Sequence, residues 1–129
     1  MNMKSLWAIF AGILVVVVVT TLVDVALHLA QVYPPMDQPI TDALAVLATS
    51  YRIVIGIAGG WLTAWLAPNR PMKHALALGL VGAVLGLVGV VATWNLGLGP
   101  RWYPIALVVL AVPQSWAGAR IHEARTAKA

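Results

Sequence analysis

The chain has 129 residues, of which 61% are hydrophobic and only 9% charged, with a net charge of +4 and no cysteine. A soluble domain carries about 25% charged residues, so these side chains cannot cover the surface of a water-soluble globule. The apolar content also excludes a disordered chain, and the lack of cysteine excludes disulfide scaffolds and thiolate metal sites. The composition therefore predicts an integral membrane protein.

Four segments are long and apolar enough to cross a bilayer, because about 20 helical residues span its hydrocarbon core of roughly 30 Å. The connections between them are short, so consecutive helices should lie side by side in opposite directions. We predict an all-α fold in which the whole chain forms a single membrane domain, an antiparallel four-helix bundle. The predicted spans are residues 6–32, 42–67, 75–94 and 103–119.

The first span begins like a secretory signal, with Lys4 ahead of an apolar stretch. That stretch is longer than the apolar region of a signal peptide, which has about 7–15 residues, so we expect it to be retained. At 100° per residue the polar side chains of this span fall on one stripe of the helix. The stripe consists of Thr20, Thr21, Asp24, His28 and Gln31.

The second span, for which Thr41 is the predicted N-cap, has two contrasting faces. Small side chains let another helix approach closely, so the face of small residues should pack inside the protein. The opposite face, with Trp61 and Trp65, should contact lipid. Arg52 projects from the small-residue face, which also holds Ala45, Ala48, Thr49, Gly56, Gly59 and Thr63.

The third span carries four glycines at a 3-4-3 spacing. This spacing is typical of a seam where membrane helices pack closely, and a phosphate-binding loop would need a different motif. The pattern leaves open whether the seam meets another helix of the chain or a second copy. The glycines are Gly79, Gly82, Gly86 and Gly89.

The fourth span contains Pro113, which cannot donate a hydrogen bond to the Val109 carbonyl and should kink the helix. Gln114 follows immediately and is the only amide side chain of that span. A kink beside a polar side chain can mark a gate or a binding site. More often it is an irregularity that neighbouring helices tolerate.

Asp24 and Arg52 are the only formally charged residues deep inside any predicted span. Counted along their helices, both lie about 13–15 Å below the same surface, close to the midplane. An unpaired charge at that depth is costly. We therefore predict an Asp24–Arg52 ion pair, bidentate because a guanidinium fork matches a carboxylate. Polar residues of comparable depth are His28, Thr49, Tyr51 and Gln114.

Two interpretations of the ion pair stay open at this point. Either it fixes the register of two helices, or it is part of a solute or proton site, because ionisable groups inside a membrane often have a function. Asp24 and His28 lie four residues apart on one face and could hold a metal ion. A metal site usually has three or four ligands, so we expect a hydrogen-bonded pair there and no metal or cofactor.

The basic residues are distributed unevenly over the predicted loops. The first loop holds none and contains Asp37, and the third loop holds only Arg101. Because basic loops stay in the cytoplasm, we expect both termini to be cytoplasmic. This bias, and not nucleic-acid binding, accounts for the net charge. The remaining basic residues, in the N-terminal stub, the second loop and the tail, are Lys4, Arg70, Lys73, Arg120, Arg125 and Lys128.

Several short segments resemble a group of small uncharacterised four-helix bacterial inner-membrane proteins. The resemblance covers nearly the whole chain and implies a bacterial inner-membrane location, but it implies no activity. The chain is also similar in size to small multidrug resistance transporters, whose first-helix carboxylate has no arginine partner. The segments that carry the resemblance are Asp24–His28, Tyr33–Pro35, Tyr51–Arg52, Leu66–His74, Ala92–Asn95 and Pro100–Pro104.

These patterns favour a small transporter or permeation protein over an enzyme. Its site, around Asp24 and Arg52, should open toward the outer side and bind a small polar solute or a lipid headgroup. The alternative is a non-catalytic accessory or assembly subunit that docks another membrane protein through the glycine seam of the third span. In both cases the surroundings are the lipid bilayer and a homo-oligomer or a larger membrane partner.

Overall fold

The computed structural model describes residues 3–35, 39–97 and 99–127, which form four α-helices and no strand. Each helix is long and apolar enough to cross a membrane. The predicted all-α fold with four membrane spans is therefore confirmed. The helices are α1 (Met3–Leu29), α2 (Asp42–Leu66), α3 (Pro71–Thr93) and α4 (Trp102–Ala127).

The helix ends follow local chemistry more closely than hydropathy. α1 ends three residues earlier than predicted, because Gln31 adopts a left-handed conformation with φ of 61° and turns the chain. α2 starts where the sequence predicts, with the Thr41 hydroxyl accepting a hydrogen bond from the Leu44 amide at 3.2 Å. α3 begins four residues early at Pro71, because proline suits the first position of a helix.

α2 lies at the centre of the bundle and packs against the other three helices. α4 packs against α2 and α3, whereas no Cα atoms of α1 and α4 lie within 8 Å of each other in the described residues. Late α1 residues meet early α2 residues, as in the contact between Asp24 and Arg52. Early α1 residues meet late α2 residues, as in the contact between Ala8 and Thr63. These two helices therefore run in opposite directions.

The two ends of the bundle differ in character. At one end, named the basic end here, α1 and α3 begin and α2 and α4 finish. It carries the described basic residues of the stub, the second loop and the tail, while Lys128 lies outside the described residues. At the other end, named the tyrosine end, Tyr33, Tyr51 and Tyr103 converge. Asp37 belongs to the loop at that end and also lies outside the described residues.

Close glycine contacts join the helices through most of the bundle. A methyl group added at Gly60 of α2 would lie 2.6 Å from the Ser115 carbonyl oxygen of α4, and Gly118 of α4 approaches the α2 backbone at Ile57 and Trp61 in the same way. Gly59 faces Val16 and the Gly12 carbonyl of α1. α2 is thus held between α1 and α4 with almost no space in between.

The glycines of α3 face α4, which answers the question of their partner. A methyl group added at Gly79 would lie 2.9 Å from the Val112 Cα atom, and one at Gly86 would lie 3.0 Å from the Val108 side chain. Gly82 has a looser contact with Ala111, at 3.6 Å, and Gly89 has nothing within 4 Å. The seam is therefore used inside the chain from Gly79 to Gly86 and ends before Gly89.

Candidate functional site

The predicted ion pair between α1 and α2 is present. Nη2 of Arg52 donates to Oδ2 of Asp24 at 2.6 Å, while Nε of Arg52 donates to the Tyr103 hydroxyl at 2.8 Å. The prediction of a bidentate pair is wrong, because the second carboxylate oxygen accepts a hydrogen bond from Tyr51 instead. Arg52 thus divides its donors between α1 and α4.

A second tyrosine extends the network into the loop after α1. The Tyr33 hydroxyl lies 2.6 Å from the Tyr51 hydroxyl, and the Tyr33 ring packs 5.2 Å from the His28 ring. Tyr33 is buried, with 8% of its surface exposed. Hydrogen bonds therefore run without a break from this loop to α4. We name the connected set the polar cluster; its members are Asp24, Tyr33, Tyr51, Arg52 and Tyr103.

Local sequence explains how five residues from three helices and a loop converge. Asp24 and His28 lie one turn apart on the same face of α1, and the turn at Gln31 brings the chain back so that Tyr33 covers His28. Tyr51 and Arg52 are consecutive on α2, so their side chains leave the helix about 100° apart. Tyr103 sits in the first turn of α4 and meets the guanidinium.

The two members of the ion pair lie at different depths along their helices. Arg52 is close to the middle of α2, as predicted. Asp24 lies only five residues, about 7.5 Å, before the end of α1. The position of the pair relative to the bilayer midplane stays a prediction. The Arg52 side chain still reaches Asp24, because helical side chains tilt toward the N-terminus of their helix, here toward the tyrosine end.

The polar cluster is accessible from the tyrosine end. The side chains of Asp24 and Arg52 are 29% and 22% exposed, and they border a cavity of about 140 Å³. A neighbouring, mainly apolar cavity of about 400 Å³ shares His28, Ile40 and Tyr103 with it and extends to Arg101 and Trp94. A solute could therefore approach the pair past the loops of this end.

Three predicted site residues are not members of the polar cluster. One is His28, whose ring packs against the Tyr33 ring and which borders the same cavity. Thr49 donates its hydroxyl to the Ala45 carbonyl of its own helix at 2.8 Å. Gln114 packs its amide against Gly56 and lines an apolar cavity of about 110 Å³ to which all four helices contribute residues. The reason is register: Gln114 lies three turns beyond Tyr103, the residue of α4 that meets the guanidinium.

Tyr33 and Tyr103 belong to the cluster but were not among the predicted site residues. Both stand at span ends, where tyrosine is also common as an interfacial anchor. Tyr33 belongs to the segment Tyr33-Pro34-Pro35, and Tyr103 belongs to Arg101-Trp102-Tyr103. Membership of these segments is the feature of the sequence that could have marked them as site residues. Only the fold distinguishes an anchor from a hydrogen-bond partner of Arg52.

A separate polar network lies at the basic end and contains no ion pair. His74 is buried, with 8% exposure, and its Nε2 lies 2.7 Å from the Ser5 hydroxyl. Its Nδ1 lies 3.0 Å from the Arg70 carbonyl. Thr63, which has no exposed surface, donates to the Ala8 carbonyl at 2.9 Å. We name Ser5, Thr63 and His74 the buried network.

Comparison with known proteins gives no further guide to the site. The chain matches no protein-family model, no curated protein and no solved structure. Within the described ranges, no three histidine, aspartate or glutamate side chains lie close enough together to hold a metal ion. The polar cluster itself offers a guanidinium, a carboxylate and three phenols.

Proposed function

We propose that the chain is a small membrane transporter or permeation protein, and that its polar cluster binds a small polar or ionic solute, or a lipid headgroup, from the outer side. One observation carries this proposal: an ion pair between membrane spans is a quarter exposed and borders an open cavity. A pair whose only role was to fix helix register would be expected to be fully packed. Ionisable groups that line a cavity between spans usually mark a solute or ion path.

The available donors and acceptors define what such a solute can be. Arg52 and Asp24 offer both charges, and the phenols of Tyr51 and Tyr103 can each donate or accept. The adjoining cavity adds His28 and apolar walls. This combination favours a small molecule with a charged or strongly polar group and an apolar part.

The path toward the basic end is closed below the polar cluster. Gly56 meets Gln114 and Gly60 meets Ser115 along the contact between α2 and α4. Passage would therefore require α2 and α4 to separate, or a pore formed by several copies. We accordingly propose that this arrangement is the outward-open state, with an oligomer as the working unit.

Orientation follows from the charges at the two ends. The basic end carries Lys4, Arg70, Lys73, Arg120 and Arg125 among the described residues, which supports a cytoplasmic location for it. Both termini would then be cytoplasmic, in a bacterial inner membrane, with the tyrosine end outside.

The alternative role, an accessory subunit that docks a partner through the α3 glycines, has less support. Gly79 and Gly86 already contact α4 of the same chain. A partner would have to displace α4 to use them. The contacts of the α3 glycines therefore support packing within the chain over docking of a partner. The open cavity supports a role in solute binding.

The proposal is tested by solute-dependent stability in lipid nanodiscs. A panel of small carboxylates, amines, amino acids and phosphoesters is screened for a rise in the melting temperature, since a ligand at 100 times its Kd stabilises a protein by about 2.7 kcal/mol. The rise should vanish in the double variant Asp24→Asn with Arg52→Gln, which keeps polar groups but no charge. Uptake of the same solute into proteoliposomes then tests transport.

A matched control is Thr49→Val, which lies one turn from Arg52 but bonds only within its own helix. It should respond to solutes like the wild type. If no solute stabilises the wild type, or if the double variant responds equally, the polar cluster is not a binding site.

A further inference from the structure

A second cavity lies at the basic end, far from the polar cluster. Its volume is about 310 Å³, roughly ten water volumes. It opens between the start of α1 and the turn that joins α2 to α3. The residues that line it are Ser5, Asn69, Arg70, Lys73, His74 and Ala77.

The two cations of this cavity have no carboxylate partner in the part of the chain that the structure describes. Ion pairs there are limited to Arg52 with Asp24 and Arg120 with Glu123. Arg70 and Lys73 are both exposed. Both side chains are therefore available to bind an anion from outside the chain.

The position of the cavity indicates where that anion comes from. Arg70 lies between the end of α2 at Leu66 and the start of α3 at Pro71, and both helices are long and apolar enough to span the membrane. Residues at such a junction lie at the level of the lipid headgroups. Phospholipids carry their phosphate groups at this level, so a phospholipid is the nearest source of such an anion.

Local geometry fits a phosphate group. Arg70 has a left-handed backbone with φ of 44°, and no side chain caps the first turn of α3. Asn69 adds an amide to the two cations, while both ring nitrogens of His74 are already engaged with Ser5 and Arg70 and hold the wall in place. Arginine and lysine are the usual ligands of phosphate oxygens.

We infer that this cavity binds the phosphate group of an anionic phospholipid from the leaflet at the basic end. The site is distinct from the solute site at the tyrosine end and does not depend on it. Its occupant would be held by charge and hydrogen bonds, in addition to the general attraction of basic residues to an anionic surface.

The experiment uses native mass spectrometry of the full chain released from nanodiscs of phosphatidylglycerol and phosphatidylcholine in equal amounts. We expect phosphatidylglycerol to be retained preferentially on the wild type. In the variant Arg70→Gln with Lys73→Gln its affinity should fall about 100-fold, since each charged hydrogen bond to the phosphate that is lost costs about tenfold. Arg120→Gln with Arg125→Gln removes the same charge from the same end outside the cavity, and it should retain the lipid.

Three results would overturn the inference. Equal retention of phosphatidylcholine would show that charge plays no role, and equal loss in the two double variants would show general surface attraction only. In a third arm, inorganic phosphate is added to protein in neutral detergent. If millimolar phosphate alone stabilises the wild type as much as phosphatidylglycerol does, the ligand is free phosphate and not a lipid. Melting temperatures of the variants without lipid verify that they are folded.

Discussion

The two ends of the bundle hold polar groups of opposite kinds. At the tyrosine end, charged side chains from α1 and α2 meet phenols in a half-open cavity. At the basic end, the buried network consists of hydroxyl groups and an imidazole that bond to each other or to backbone carbonyls. The charged side chains of the first set are about a quarter exposed, whereas each residue of the second set is less than a tenth exposed.

This difference indicates which polar side chains stabilise the fold and which are candidates for a function. An enclosed hydrogen bond between helices contributes about 0.6 kcal/mol on average in membrane proteins, and a buried polar group without a partner is costly. Ser5, Thr63 and His74 fit a role in packing. A charged pair beside a cavity adds little to packing that apolar residues could not supply. The polar cluster is therefore the better candidate for a function.

The largest expected effect on stability comes from adding a methyl group to the close contact between α2 and α4. Gly60→Ala places a methyl group against the Ser115 backbone, which cannot move aside as a side chain could. We expect a loss of about 3 kcal/mol in the free energy of unfolding, at the upper end for overpacking. Gly89→Ala is the control, because nothing lies within 4 Å of that position; it should be neutral or stabilising by up to about 1 kcal/mol. Similar losses in both would contradict the packing described for α2 and α4.

A smaller effect is expected when one charge of the ion pair is removed. Asp24→Asn leaves an uncompensated guanidinium and Arg52→Gln leaves an uncompensated carboxylate. Breaking a fully buried pair costs about 3–5 kcal/mol, and partial exposure of these side chains reduces the expected cost to about 2 kcal/mol. The double variant should be more stable than either single variant, as measured by unfolding in detergent. Equal stability of all three would mean that the pair does not couple α1 to α2.

The smallest effect should come from the buried network. Thr63→Val keeps the shape of the side chain and removes its hydrogen bond to the Ala8 carbonyl. We expect a loss of about 0.5–1 kcal/mol and no change in solute-dependent stability at the tyrosine end. A change in solute binding would show that the two ends are coupled. The buried network would then have a role in function as well as in packing.

Much of the fold follows from composition, and the ion pair follows from the cost of isolated charges in lipid. The positions of the helix ends cannot be predicted in either way. Hydropathy indicates which residues favour lipid and does not indicate which residues are helical. It therefore does not predict that α4 continues to Ala127. There, the pair between Arg120 and Glu123 and the bond from Thr126 to the His122 carbonyl accompany the extra turns.

The composition of the site was predictable only in part. Charge identified Asp24 and Arg52, and depth within the span identified Tyr51. Tyr33 and Tyr103 carry the same signal as any interfacial aromatic residue, so their role depends on the turn at Gln31 and on the register of α4. Gln114 was misplaced for the same reason, because the depth of a residue in one helix does not determine its height relative to another.

Arg52 joins two helices whose backbones stay apart. Its guanidinium holds Asp24 of α1 with one nitrogen and Tyr103 of α4 with another, while no Cα atoms of α1 and α4 approach within 8 Å in the described ranges. An arriving anion that competed with Asp24 for this donor would loosen α1 and leave α4 attached. Binding of an anion in one small pocket would thereby allow α1 to move relative to α4, through the rearranged hydrogen bonds of the Arg52 side chain.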